Sequence, residues 1–209
     1  MTDTEPTLRD LRFAVVDLET SGLEATKDQI LQIAVVTADC TGAVTDEWCT
    51  YVKPPRWPFA SVGPREVHGI SRRMLREAPN TATALAALAE RLDGAVFVAH
   101  NVDFDLGFVR HHAAAHGVAV PEVPVVCTLT LSRSLDPAAK QSHRLSDVCR
   151  RYGVELERAH DALADARAAA ALLPHLIAAV GIDDAAELLR LGMPVSQRRR
   201  NPSAPQDSE

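Results

Sequence analysis

The 209-residue chain is short of several things, and each shortage narrows the reading. Aromatic residues make up only 4%, and lysine supplies three of the 22 basic residues. Those 22 stand against 28 acidic residues, a formal charge of −6 at pH 7, which excludes a generic basic coat for nucleic acid. The four cysteines, Cys40, Cys49, Cys127 and Cys149, form no CxxC pair. That argues against a zinc knuckle or a disulfide framework and favours buried free thiols in a reducing compartment. No stretch approaches the ~20 apolar residues needed to span a bilayer, and Met1 to Pro6 has no basic and apolar leader. A soluble cytoplasmic protein without a membrane partner is the expectation. The remainder is ordinary, with 46% hydrophobic and 24% charged residues, enough to bury a sizeable core. At about 100 to 200 residues per domain, one domain is expected.

Residues 1–10 are polar, and residues 193–209 carry Arg198-Arg199-Arg200 ahead of a proline-containing end. Neither can bury enough apolar surface to order itself, so both read as flexible tails around a domain at 11–192. Within it, residues 11–17, 30–37 and 47–52 are β-branched or alternating runs, which predicts three consecutive strands in a meander. Residues 54–79 hold five of the thirteen prolines and read as an irregular connector. Asn80 or Thr81 caps a helix to Leu92, residues 95–99 form a buried strand, and Asn101 caps a helix that Gly117 stops. A strand at 123–127 and helices near 129–135, 145–152 and 162–180 follow, the last bent or stopped near Pro174. Strands first, then strands alternating with helices, give an α/β domain with a mixed sheet flanked by helices.

Three acidic clusters lie where an apolar core is expected. Asp17 and Glu19 end the first strand two positions apart, hence on one face and ~7 Å from each other. Ionising both in a low dielectric is costly unless a cation sits between them; solvation at a strand end is the plainer alternative. In His100-Asn101-Val102-Asp103-Phe104-Asp105, Asp103 reads as a complement to the helix dipole. Asp105, amid Phe104, Leu106 and Phe108, lacks such a reason and wants a partner. In His160-Asp161-Ala162-Leu163-Ala164-Asp165, Asp161 reads as an N-cap, and Asp165 lies one turn inside the helix. His160 precedes the helix, where an imidazole is free to act as a general base.

In this order the clusters closely resemble the DEDDh group of 3′-to-5′ exonucleases, the family of the proofreading epsilon subunit of bacterial DNA polymerase III. The resemblance rests on Val16-Asp17-Leu18-Glu19-Thr20-Ser21-Gly22-Leu23, on Ala99 to Asp105, and on Arg158 to Ala166 with its histidine five residues before the last aspartate. Val67-His68-Gly69-Ile70 and His143 to Cys149 also look like family segments. The resemblance covers residues 11–178 and implies a ribonuclease H-like fold holding two divalent cations, Mg²⁺ or Mn²⁺, whose hardness suits carboxylate oxygen. It implies that Asp17, Glu19, Asp105 and Asp165 hold the metals and that His160 takes the proton from the attacking water. It further implies that Thr20, Leu23, His68, Asn101 and Phe104 hold the 3′ end. For Phe104 core packing explains the residue equally well. His68 sits in what reads as a loop with little reason to bury a histidine. Arg72, Arg73, Arg76 and Arg144 are candidates for phosphate contact or for a solvated face.

The implied activity is release of nucleoside monophosphates from the 3′ end of nucleic acid. DNA, single-stranded or frayed, is the preferred substrate, because the Asp-Leu-Glu-Thr-Ser-Gly-Leu and His-Gly-Ile segments look closer to the epsilon-like branch. An RNA-directed enzyme of the same fold and a non-catalytic end-binding or DNA polymerase accessory module are the alternatives. His160-Asp161 also forms an HD doublet, as in the metal-dependent HD phosphohydrolases, but that family is all-helical and the first 55 residues read as β-rich.

Overall fold

The computed structural model describes residues 7–198. Residues 1–6 and 199–209, most of the two expected tails, lie outside the described residues. Residues 7–10 and 193–198, also assigned to the tails, contain a 3-10 turn at Leu8–Asp10 and a short terminal helix.

Three strands come first: β1 (Phe13–Thr20), β2 (Ile30–Ala38) and β3 (Val44–Tyr51). Short helices α1 (Arg65–His68) and α2 (Arg72–Leu75) follow within the connector, then α3 (Thr81–Leu92), β4 (Val96–Ala99), α4 (Val102–His116) and β5 (Val125–Cys127). The rest is helical: α5 (Thr128–Ser134), α6 (Leu145–Tyr152), α7 (Ala162–Val180), α8 (Ala185–Gly192) and α9 (Val195–Arg198). The sheet order is β3-β2-β1-β4-β5. β1 pairs antiparallel with β2 and parallel with β4, and β5 joins β4 in parallel, so the sheet is mixed as the pattern predicts.

Side-chain alternation along β1 supplies both faces. Phe13 and Val15 join Ala34, Val36 and the buried side of α7 in one core layer. Ala14, Val16 and Leu18 join Ile33, Val35 and residues of α3 and α4 in the other. Fully buried side chains of this size contribute roughly 1.5–3 kcal/mol each, and β2 is buried along its whole length because helices cover both its faces.

Local signals hold at the helix ends. The Asn80 carboxamide oxygen accepts from Thr83 N at 2.9 Å, Asp161 accepts from Ala164 N at 3.3 Å, and Gly117 ends α4 in the left-handed conformation. Other expectations are corrected. β1 begins at Phe13 rather than at residue 11 and ends at Thr20, with Asp17 and Glu19 in its second half. The Asn101 side chain makes no capping bond. Helix α7 spans the expected 162–180, but it is not stopped at Pro174. A proline inside a helix costs about 3 kcal/mol, and burial of Leu172, Leu173, Leu176 and Ile177 around it offsets that cost. This same helix is long and apolar enough to cross a membrane by length and composition, with mean hydropathy 1.4, so the apolar run not found in the sequence exists. Here it is a core helix packed on β1 and β2. Helix α8 was not anticipated, although Asp184, which accepts from Glu187 N at 2.7 Å, and Glu187 itself follow the capping pattern. Of the cysteines, all free, Cys127 and Cys149 are buried while Cys40 and Cys49 are only half-buried.

Candidate active site

The site forms where the sheet runs out of partners. β1 pairs with β4 only from Phe13 to Val15, because β4 ends at Ala99 and the chain turns through His100 and Asn101 into α4. The edge of β1 beyond that point is open. The Asp105 carboxylate fills part of it, accepting from Leu18 N at 3.2 Å. Asp17 and Glu19 follow Phe13 and Val15 on the face covered by α7, whose first turn carries Asp165. Three separate elements thus direct four carboxylates to one edge of the sheet.

The ten residues that the resemblance assigns to the metals, the proton transfer and the 3′ end line one cleft of about 460 Å³: Asp17, Glu19, Thr20, Leu23, His68, Asn101, Phe104, Asp105, His160 and Asp165. Leu145 and His100 are also part of its wall. The electrostatics are those of crowded, desolvated anions. Burial, then the charges of Asp105, Asp165 and Glu19, push the Asp17 carboxyl well above the usual range. Burial and the Asp165 charge raise Glu19 to about 8. Burial raises Asp105 to about 7, against the lowering effect of its hydrogen bonds from backbone N–H groups, and burial raises Asp165 as well. Deprotonating such a set requires positive charge nearby.

One atom shows what kind of charge fits. Asp165 Oδ2 accepts from the backbone N–H of His160 at 3.0 Å, whereas buried Oδ1 has no hydrogen-bond partner. A buried carboxylate oxygen without a donor is suited to a cation. Ligand atoms of Glu19, His160 and Asp165 lie within 4.8 Å of one another, and the donor set is mainly carboxylate oxygen, which fits a hard divalent ion such as Mg²⁺ or Mn²⁺. His160 is exposed and has φ +63°, a left-handed conformation that costs a non-glycine residue roughly 1–3 kcal/mol and is characteristic of functional positions.

Two histidines behave differently from what their sequence context suggests. His68 is only 8% exposed. Its Nδ1 accepts from Ile70 N at 3.0 Å and its Nε2 donates to the Val62 carbonyl at 2.9 Å, so the supposed loop is a short helix pinned by a buried imidazole. His100 Nε2 donates to the His143 carbonyl at 2.8 Å, and its Nδ1 meets Thr128 Oγ1 at 2.9 Å. Burial lowers the His100 pKa, so this ring serves as a neutral brace between α5 and the segment before α6. Sequence reasoning quoted His100 without giving it a role, since its partners lie 28 and 43 residues away.

The arginines named as phosphate candidates divide. Arg72 Nη2 donates to the Ala60 carbonyl at 3.3 Å, Arg76 pairs with Glu77 at 3.1 Å, and Arg73 and Arg144 are exposed. Asp103, expected to complement the helix dipole, accepts from the Ser196 hydroxyl.

Comparison with known proteins agrees with this geometry. The family described as Exonuclease matches residues 14–173. The chain is 34% identical over 167 residues to the DNA polymerase III PolC-type protein of Bacillus subtilis, covering 79% of this chain and 11% of that protein. It is 33% identical over 156 residues to the 3′-5′ exonuclease DinG of Bacillus subtilis, covering 74% of this chain and 16% of that one. Among solved structures, Exonuclease X in complex with 5′ overhanging duplex DNA superposes with a TM-score of 0.64 at 21% identity, covering 88% of this chain and 99% of that one. The chain spans only 11% to 28% of the length of the first curated relatives it matches. With the family match over most of the chain and the shared fold, this protein belongs to the exonuclease family, on the ribonuclease H-like fold.

Proposed function

We propose that residues 11–192 form a two-metal-ion 3′-to-5′ exonuclease that releases nucleoside monophosphates, with DNA as the preferred substrate. The observation that carries the reading is the convergence of Asp17, Glu19, Asp105 and Asp165 in one cleft, every carboxyl pushed upward and one buried oxygen without a donor. Asp17, Glu19 and Asp165 would hold the ion on the side of the attacking water, and Asp17 with Asp105 the other. Two divalent ions supply an acidified water and neutralise charge on the leaving oxygen.

The chain's own residues supply the remainder. His160, exposed at the mouth of the cleft, takes the proton of the attacking water, and its backbone N–H fixes the Asp165 carboxylate. Leu23, 84% exposed on the loop after β1, offers an apolar surface to the terminal nucleotide. The Thr20 backbone, Asn101 and Phe104 shape the pocket around it. His68 contributes through its ring surface, since both its nitrogens are engaged. The −6 charge is consistent with this chemistry: polyanion binding depends on the metals, with arginines assisting. The PolC-type relatives are DNA polymerase proteins by name, which supports a polymerase subunit as a partner. Free cysteines suit the cytoplasm.

The test compares 3′-labelled single-stranded DNA, duplex DNA, mismatched duplex and short RNA, each with Mg²⁺ and with Mn²⁺. Mononucleotide release from single-stranded or frayed DNA is the expected result. Release from RNA alone would reverse the substrate preference, and binding without release would favour the accessory-module alternative.

A further inference from the structure

Beside the catalytic cleft lies a second cavity of about 570 Å³, between the 21–29 loop and the 55–61 loop. Ser21 is part of its wall, and the neighbouring Thr20, Gly22 and Leu23 line the catalytic cleft. Consecutive residues of one backbone segment therefore line the two cavities.

The 55–61 loop treats its two aromatics in opposite ways. Trp57 packs against Leu31, Ile70 and Leu75 in a small core of its own, while Phe59 is 88% exposed. Burying Phe59 would be favourable, and the loop forgoes it although it is held in place on several sides. Phe59 N donates to the Arg56 carbonyl at 2.9 Å, Arg72 donates to the Ala60 carbonyl, and the Val62 carbonyl takes the His68 bond. Gly63 then presses on Ser21 so closely that an added Cβ would lie 2.2 Å from its carbonyl oxygen.

Charge at the rim is selective. The Asp28 carboxylate is turned onto its own loop, accepting from Glu24 N at 2.9 Å and from the Ser21 hydroxyl at 3.3 Å, and the Lys27 ammonium is matched by Glu24 at 2.6 Å. Arg56 and Arg72 have no carboxylate partner among the described residues. An aromatic ring held in water beside a guanidinium with no carboxylate partner, as Phe59 and Arg56 are in this wall, is the combination that binds single-stranded nucleic acid, the ring by stacking on a base and the cation by meeting phosphate.

We infer that this cavity is a second nucleotide subsite, in which Phe59 stacks on a base of the single-stranded substrate other than the terminal one and Arg56 meets its phosphates. The inference rests on the exonuclease reading of the adjoining cleft and extends it. It assigns Phe59 to affinity for longer strands, leaving the hydrolytic step to the first cleft.

The experiment uses the full chain with Mg²⁺ and two substrates, oligothymidylate and the p-nitrophenyl ester of thymidine 5′-monophosphate, which is small enough to occupy the catalytic cleft alone. Phe59→Ala is expected to raise KM for oligothymidylate by about 5- to 150-fold, the span of a single base–aromatic stack, with its kcat and both constants for the ester unchanged. Arg56→Ala should raise the same KM and reduce its dependence on salt. Phe59→Trp should keep wild-type KM, and its added emission, measured against wild type, should be quenched by oligothymidylate. An oligothymidylate KM for Phe59→Ala within twofold of wild type, or equal losses on both substrates, would overturn the subsite. If wild type hydrolyses neither substrate, the catalytic reading fails, and the Phe59→Trp titration alone decides: quenching supports the subsite and its absence removes it.

Discussion

The Asp165 carboxylate is held on one side only, by the backbone N–H of His160 at 3.0 Å, and its other oxygen is buried without a donor. The side chain assigned to the proton and the carboxylate assigned to the metal are thus tied through the backbone, while the imidazole itself stays exposed. This separation makes the two roles experimentally distinguishable. His160→Ala should lower turnover by about 10²- to 10⁴-fold, the usual contribution of a general base, with Mn²⁺ affinity measured by calorimetry kept. Asp17→Ala should lose both. Loss of Mn²⁺ binding in His160→Ala would make His160 a ligand, a role its place beside Glu19 and Asp165 also permits.

The raised carboxyls set the pH dependence of the metal-free protein. Glu19 titrates at about 8 and Asp105 at about 7 in the fold, both above their values in an unfolded chain. Over that interval the folded state retains protons that the unfolded chain has released, so stability declines as pH rises. Tm in the presence of a chelator should therefore fall from about pH 5 to above pH 8, roughly 2–4 °C for each kcal/mol lost. Mg²⁺ or Mn²⁺ should restore Tm most at the alkaline end, where the ligands are ionised. A Tm that stays level across this interval would contradict the desolvated cluster.

Gly63 couples the connector to the end of β1. Its φ is +69°, and an added Cβ would collide with the Ser21 carbonyl at 2.2 Å. Gly63→Ala should cost about 1–3 kcal/mol for the backbone conformation alone. Because Ser21 lies between Thr20 and Gly22 at the cleft, KM should rise together with the fall in Tm. A stable variant with wild-type KM would show that the two loops move independently.

His112 supports the same region from the opposite side. It is 4% exposed, and its Nε2 donates to the Asp28 carbonyl at 3.0 Å. His112→Leu removes the donor and should cost about 1–3 kcal/mol, the penalty for leaving a carbonyl unsatisfied, measured by denaturant unfolding. His112→Gln, which retains an N–H donor, should recover part of the loss.

Much of the fold follows from short-range patterns. Period-two alternation places Asp17 and Glu19 on one face, and Asn80, Asp161 and Gly117 mark helix ends through contacts within four residues. Where the local signal ran against burial, it misled. Pro174 reads as a bend or stop, yet the side chains packed around it carry α7 onward to Val180. His68 reads as a loop residue because its partners, the Val62 carbonyl and Ile70 N–H, depend on how the connector folds back.

The sequence by itself determined which residues are candidates for the chemistry, because the ordered acidic clusters with their internal spacing are a property of the linear chain. The tertiary structure decided the state of those residues. Desolvation and mutual repulsion depend on atoms brought in from β1, α4 and α7, and no spacing along the chain encodes how much water they exclude. Only the fold, by ending β4 at Ala99 and leaving the edge of β1 open, turned four separate carboxylates into one site that calls for cations.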